Sequence, residues 1–284
     1  MKKLGTILSM LLICIAGTSC GQNKSSTAGS PAGYDLNHPV KYDMPADLLE
    51  ISGIAFNNGD AATIYAEQDE EGKLFYFKLG DKNISHTKFG KRGDYEDVAI
   101  LNNYAILMRS DASFYTFPLS GIKNKDAAGV QEFKKILPTG EYEGMHADGG
   151  KIYVICKIGQ GVDHNKECDG YVLNLSADGS LTSTGTFSID VKKIAGMVGK
   201  KKLKFHPSAL AKNPLTKQWF ILSSVNKMVV VTDADWNVQQ VFPIDPTIFL
   251  QPEGMAFDRQ GNLYISNEGS KTQPGNVLLF KYKR

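Results

Sequence analysis

A run of small residues leading into a polar turn recurs five times along this chain, and that repetition limits the fold more than any other feature. The copies are Ser52-Gly-Ile-Ala-Phe-Asn-Asn, Glu96-Asp-Val-Ala-Ile-Leu-Asn-Asn, Glu143-Gly-Met-His-Ala-Asp-Gly-Gly, Ser208-Ala-Leu-Ala-Lys-Asn-Pro and Glu253-Gly-Met-Ala-Phe-Asp-Arg-Gln-Gly. Each runs into an apolar strand, namely Thr63-Ile-Tyr-Ala, Tyr104-Ala-Ile-Leu-Met, Ile152-Tyr-Val-Ile-Cys, Trp219-Phe-Ile-Leu and Leu263-Tyr-Ile-Ser. A third strand follows in every unit: Leu74-Phe-Tyr-Phe, Phe114-Tyr-Thr-Phe, Tyr171-Val-Leu-Asn-Leu, Met228-Val-Val-Val and Val277-Leu-Leu-Phe. A weaker fourth strand closes units one to four. Short β-branched and aromatic runs separated by Gly, Asn and Asp read as many short strands, and a repeat of about 40–50 residues reads as a propeller blade. The anchors at 52, 96, 143, 208 and 253 are spaced 44, 47, 65 and 45 residues apart. The long interval carries an extra segment, residues 191–207.

The predicted fold is therefore an all-β propeller of five four-stranded blades. Six blades is the alternative if residues 191–207 hold a degenerate blade, although 17 residues are too few for four strands. Unit five ends after its third strand, so Val40-Lys41-Tyr42 is expected to supply the outer one. Such closure joins the two ends of the ring and protects its edges.

The N-terminus reads as an export signal. Met1-Lys2-Lys3 is a positive n-region, and Leu4 to Ala16 is an apolar stretch of signal length, too short for a permanent membrane span. Gly17-Thr18-Ser19-Cys20 follows, small residues before a cysteine, and resembles the lipobox of bacterial lipoproteins. That resemblance implies cleavage after residue 19 and acylation of Cys20. Gly17 stands where the pattern has Leu, which leaves ordinary small-residue cleavage as the alternative. Residues 20–34 read as a flexible tether, rich in Gly, Ser, Asn and Ala, and residues 35–284 as one propeller domain. The expected location is the cell envelope, with the protein held to a membrane by N-terminal lipid and the domain in the periplasm or outside the cell. Loss of Lys2 and Lys3 turns 32 basic and 30 acidic residues into 30 of each, so nothing in the charge points to nucleic acid.

Propeller geometry puts the residue opening the first strand and the loop after the second strand on one face. That face should collect Ser52, Glu96, Glu143, Ser208 and Glu253 around the channel, with Glu67, Asp69, Arg109, Lys157 and Glu268 in the adjoining loops. Carboxylates crowded at a narrow opening take up protons or hold a cation, and a hard cation on oxygen donors points to Ca²⁺. The candidate metal ligands are thus Glu96, Glu143, Glu253 and Glu268. The candidate ligand-binding residues are Ser52, His146, His206, Ser208, Arg109 and Lys157. The competing reading has the glutamates capping backbone N–H groups of neighbouring strands. No Ser/His/Asp constellation can be assembled from the spacing, so His146 and His206 are read first as structural hydrogen-bonders.

Cys156 ends a second strand and Cys168 precedes a third, so antiparallel pairing would bring the two near each other; a disulfide is expected in an oxidising compartment, with two free thiols as the alternative. The intervening Asp163-His164-Asn165-Lys166-Glu167 then reads as a polar hairpin loop. Gly199-Lys200-Lys201-Lys202-Leu203-Lys204 lacks a phosphate-loop signature and reads as a solvated loop.

Glu50-Ile-Ser-Gly-Ile-Ala, Tyr95-Glu-Asp-Val-Ala, Tyr142-Glu-Gly-Met, His206-Pro-Ser-Ala-Leu and Gln251-Pro-Glu-Gly-Met-Ala-Phe-Asp-Arg-Gln-Gly-Asn-Leu-Tyr-Ile-Ser-Asn-Glu together resemble the SdiA-regulated (YjiK/CarP-like) propeller family, over about residues 45–284. The resemblance implies an envelope-associated propeller of ill-defined function, in some members connected with calcium. The last segment is also similar to a stretch of the β-propeller phytases, which implies calcium ligation by Glu253 and Glu268. Gluconolactonase-like and NHL propellers share the pattern too, so it specifies fold better than chemistry. The function expected is a binding or sensing propeller with a calcium or small-molecule site at the channel. The alternatives are a calcium-dependent phosphoesterase and a lactonase-like hydrolase.

Overall fold

The computed structural model describes residues 29–283, and the expected signal peptide, Cys20 and most of the expected tether lie outside the described residues. Twenty strands form five separate four-stranded antiparallel sheets arranged as a ring, a five-bladed β-propeller. The inner strands of the five blades are Ile51–Asn57, Tyr95–Leu101, Gly140–Asp148, Ala209–Lys212 and Pro252–Phe257. Strands two, three and four follow outward in chain order in blades one to four. Blade five is completed by Val40–Asp43, which pairs with Asn276–Phe280 in the register Val40↔Leu279 to Asp43↔Asn276. The two ends of the chain thus close the ring as expected, and the last edge is covered.

Burial follows the ring. Ile51–Phe56 is buried without a break, because an inner strand has a neighbouring blade on both faces and a continuous apolar run is what such a strand needs. Outer strands face water and alternate instead, as in Ser85–Lys88, where Thr87 alone is buried. Among the described residues there is no single central core. Five apolar clusters fill the clefts between successive blades: Phe56, Phe75 and Val277 between blades five and one, and Phe89, Tyr95 and Phe117 between one and two. Phe114, Tyr142 and Leu173 fill the next cleft, then Phe187, Phe205 and Trp219, then Phe220, Phe249 and Phe280.

The 191–207 segment is no hidden blade. It forms a helix, Val191–Met197, whose N-cap Asp190 accepts a hydrogen bond from the Lys193 N–H at 3.0 Å. The helix buries Val191, Ile194 and Ala195 on the cluster between blades three and four, and Phe205 packs into the same cluster. This accounts for the long fourth interval.

On the lower face, where inner strands end, three blades use two-residue turns with both residues at positive φ: Asn58-Gly59, Asn102-Asn103 and Gly149-Gly150. Blades four and five use longer turns built on Asn213 and Asp258, whose side chains accept N–H groups of Leu215 and Thr216, and of Gln260 and Asn262. The chain enters on this face too. Tyr34 donates its hydroxyl to the Gly261 carbonyl at 2.6 Å, accepts from Asn213 Nδ2 at 2.8 Å, and packs on Phe220, Phe257 and Tyr282.

The predicted disulfide is corrected. Cys156 and Cys168 are buried thiols, and they lie on opposite faces of blade three. Ile155 pairs with Gly170, so Cys168 shares the Ile155 face and joins the cluster with blade four, while Cys156 points into the cluster with blade two. The nearest link between them is a weak hydrogen bond from Cys168 Sγ to the Cys156 carbonyl at 3.6 Å. Strand neighbours in sequence reach each other only when their parity matches.

Candidate functional site: an acidic channel mouth

Three of the ring glutamates stand on β-bulges. The inner-strand register slips between Tyr95 and Asp97, between Tyr142 and Gly144, and between Pro252 and Gly254, so Glu96, Glu143 and Glu253 are the unpaired extra residues. Ser52 and Gly53 sit in the matching slip of blade one. A bulged residue is released from the pleat and turned out of the sheet plane, which here means toward the upper channel mouth.

Directly below, four of the five steps of the ring are small, Gly53, Gly144, Ala209 and Gly254, and the fifth is Asp97. A Cβ on Gly53 would meet the Asp97 backbone at 2.5 Å, and one on Gly254 would meet the Ser52 carbonyl at 2.3 Å. At Gly53 and Gly254 the inner strands approach too closely at this waist for a side chain. The bulges also leave backbone N–H groups without ladder partners, and two buried acids take them. Glu67 Oε1 accepts from Gly53 N at 2.6 Å. Asp97 accepts from Val98 N at 2.7 Å and, across the blade boundary, from Met145 N at 2.5 Å. Burial pushes both carboxyls well above the usual range. Glu67 Oε2 has no partner among the described residues. The N–H-capping role considered for the ring glutamates thus falls to Glu67 and Asp97, residues below the ring.

The ring carboxylates are raised by burial first, and neighbouring charges act second. Glu253 is raised to about 7, with Glu143 the next cause, and the Ser208 and Ser224 hydroxyls pull it back. Glu268, which accepts from Gln251 Nε2, is raised to about 8 by burial, then by Glu253, Asp69, Glu50 and Glu143. Glu96 and Glu143 are both raised, burial being the first cause in each; Glu143 and Asp94 add to Glu96, while Asp94 and Glu141 push Glu143 up against the pull of Lys157. One cation answers them. Lys157 Nζ sits 2.6 Å from Glu143 Oε1, and although burial lowers its ammonium, Glu143, Glu96 and Glu253 raise it by more. Lys227, the next cation along the rim, spends its protons on the Phe249 and Leu250 carbonyls at 3.1 and 2.7 Å.

The other candidates are distributed unevenly. Ser52 donates to the Glu96 carbonyl at 2.9 Å and Ser208 stands beside Glu253, so both belong to the mouth. Arg109 turns aside to Asp111, 3.8 Å away, and to Tyr115. His206 lies on the rim between blades three and four, where Asn226 and Ser223 bind its backbone and its Nδ1 is buried without a partner. His146 is not at this mouth: it follows Glu143 by three residues, about 10 Å along a strand, and lines the opposite opening. Lys204 joins the upper rim through Asn226, which donates to its carbonyl at 3.0 Å. Glu67 and Asp97 are buried acids raised by that burial, and the signal for both was an acid inside an otherwise apolar or small-residue strand.

Among the described residues, no three His, Cys, Asp or Glu side chains stand close enough as they lie to hold a metal ion. The donor chemistry is nevertheless all oxygen, the set suited to a hard cation.

No protein-family model matches the chain, and no curated protein matches it. Among solved structures it is similar to the glutaminyl cyclase of Myxococcus xanthus, with TM-score 0.56 and 13% identity over 87% of this chain and 97% of that one. It is similar to a luciferin-regenerating enzyme, with TM-score 0.53 and 10% identity over 86% and 95%. It is also similar to regucalcin, a calcium-binding protein from Agrobacterium tumefaciens strain C58, with TM-score 0.51 and 12% identity over 91% and 97%. Identities this low carry the β-propeller fold and nothing further.

Proposed function

We propose that the protein is a non-catalytic binding module of the cell envelope, a lipoprotein of the SdiA-regulated type, whose upper channel mouth takes up Ca²⁺. The observation that carries this reading is the charge imbalance at the mouth: Glu96, Glu143, Glu253 and Glu268 raised by burial and mutual repulsion, with Lys157 as their one answering cation. A divalent cation would relieve that repulsion where one ammonium does so in part. The residues fit the ion in donor type, and the partnerless Glu67 Oε2 beneath them adds a further oxygen. Acylation of Cys20 would tether the lower face, where Tyr34 is bound, so the acidic mouth would point away from the membrane. The regucalcin likeness is compatible with calcium but adds no weight, since it rests on fold alone. Binding is favoured over phosphate-ester hydrolysis because Lys157 is paired with Glu143 and Arg109 faces Asp111, which leaves neither cation directed at a phosphate.

The test is the melting temperature of the full-length protein in detergent, with and without Ca²⁺. Ligand that binds only the folded form stabilises it by RT ln(1 + [L]/Kd), so the melting temperature keeps rising with Ca²⁺ concentration. The expected outcome is a Ca²⁺-dependent rise that Glu253→Gln reduces by more than half. An unchanged melting temperature, or an equal rise in the variant, overturns the reading.

A further inference from the structure

Counting the five mouth residues as position one, the fourth position of the inner strand is Ala55, Ala99, His146, Ala211 and Ala256. Four blades keep a methyl group there, and blade three alone sends an imidazole. That imidazole lines a cavity of about 370 Å³ at the lower opening, on the far side of the waist from the acidic mouth. A space of this size falls in the range of small-molecule sites.

The cavity has an apolar floor and a cationic rim. Ile54, Val98 and Met145 line its depth, and Lys212, Lys217 and Arg259 stand around its edge. The acids there are already engaged. Asp148 is paired with Lys212 at 2.8 Å, and Asp258 is buried, holding the N–H groups of its own turn, Asn262 Nδ2 at 2.7 Å and the Tyr264 hydroxyl at 3.1 Å. Lys217 and Arg259 have no ion-pair partner among the described residues. The Arg259 stem is fixed by its Nε, which donates to the Asn58 carbonyl at 2.7 Å, and this leaves the rest of the guanidinium fork free. Both cations are carried on the two longer turns of blades four and five. His146 lies edge-on to Trp219 at 5.6 Å, and the Lys212 ammonium stands 5.2 Å above the same indole. Burial holds the His146 imidazole neutral, down at about 4, so it can give or take one hydrogen bond without adding charge.

We propose that this lower opening binds a small organic anion, its carboxylate held by Arg259 and Lys217 and its apolar body laid against Val98 and Met145 beside the His146 ring. The site is separate from the acidic mouth in position and opposite in charge.

The molecule supplies its own reporter. Its two tryptophans, Trp219 and Trp236, stack on each other at 4.4 Å next to His146, so tryptophan emission reads this opening and not the upper one. Full-length protein is titrated with benzoate, with benzamidine as the cation of the same shape and with inorganic phosphate as the anion without an apolar body. The proposal expects a saturable emission change with benzoate and a far weaker one with either control. Arg259→Gln and Lys217→Gln should each weaken benzoate about tenfold, the size of a lost charged hydrogen bond. His146→Ala, the residue the other blades use, should weaken it while leaving the melting temperature in place. A Ca²⁺ titration should leave emission unchanged, so this site and the cation reading stand or fall separately. An absent response to benzoate, an equal response to benzamidine or phosphate, or unaltered affinity in the Arg259→Gln variant at an unchanged melting temperature overturns the proposal.

Discussion

Asp97 does for this ring what a ladder hydrogen bond does for a sheet. It is nearly free of solvent contact, at 3% exposure, and its two oxygens accept N–H groups from its own blade and from Met145 of the next. Asp97→Ala would leave both donors buried and unpaired, and an orphaned buried donor costs about 1–3 kcal/mol. Chemical denaturation should therefore show Asp97→Ala destabilised by roughly 1–3 kcal/mol or more, with Asp97→Asn retaining part of the loss because one acceptor remains. The same arrangement explains what was legible here and what was not. Glu96, Glu143 and Glu253 were legible as ring positions because they open repeated segments. Their placement on bulges was not, because a register slip depends on the pairing of two strands and leaves no mark in either alone. His146 was assigned to the wrong opening for a simpler reason: three residues of extended chain cross the waist.

At the scale of the strand, parity decides more than proximity. Cys156 and Cys168 lie on paired strands and still face away from each other, one toward blade two and one toward blade four. Spacing in the sequence could bring the strands together, but it could not fix the register that sets the faces. Both thiols are also raised by burial, Cys156 to about 12, which keeps them in the unreactive protonated form. Mass spectrometry after alkylation without reductant should find both cysteines unlabelled in the folded protein and both labelled once it is denatured. A Cys156–Cys168 crosslinked peptide would contradict this. The closing strand was the reverse case. Val40-Lys41-Tyr42 could be assigned because blade five lacked an outer strand and the ring had to close, a requirement of topology that a single register satisfies.

The whole molecule is electrically polarised along its channel, with carboxylates at one opening and lysine and arginine at the other. The acidic end governs how stability responds to pH. Glu253 at about 7 and Glu268 at about 8 are both raised from 4.5, so between those values the folded chain holds protons that the unfolded chain has released. Their stabilising contribution is complete below about pH 4.5 and is lost as pH rises through about 7 and 8. In metal-free buffer the melting temperature should fall between about pH 5 and about pH 8.5. Glu253→Gln together with Glu268→Gln should flatten that slope, and Ca²⁺ should raise the melting temperature more at the alkaline end, where the carboxylates are ionised. A slope of opposite sign would contradict the protonated state assigned to the mouth. The most direct measurement is a crystal structure of the protein grown with Ca²⁺ near neutral pH, read by anomalous scattering. The account predicts one ion at the upper mouth, about 2.4 Å from oxygens of Glu96, Glu143 and Glu253, with the Lys157 ammonium moved off Glu143. Saturating Ca²⁺ with no ion there and the Lys157–Glu143 pair intact would contradict it.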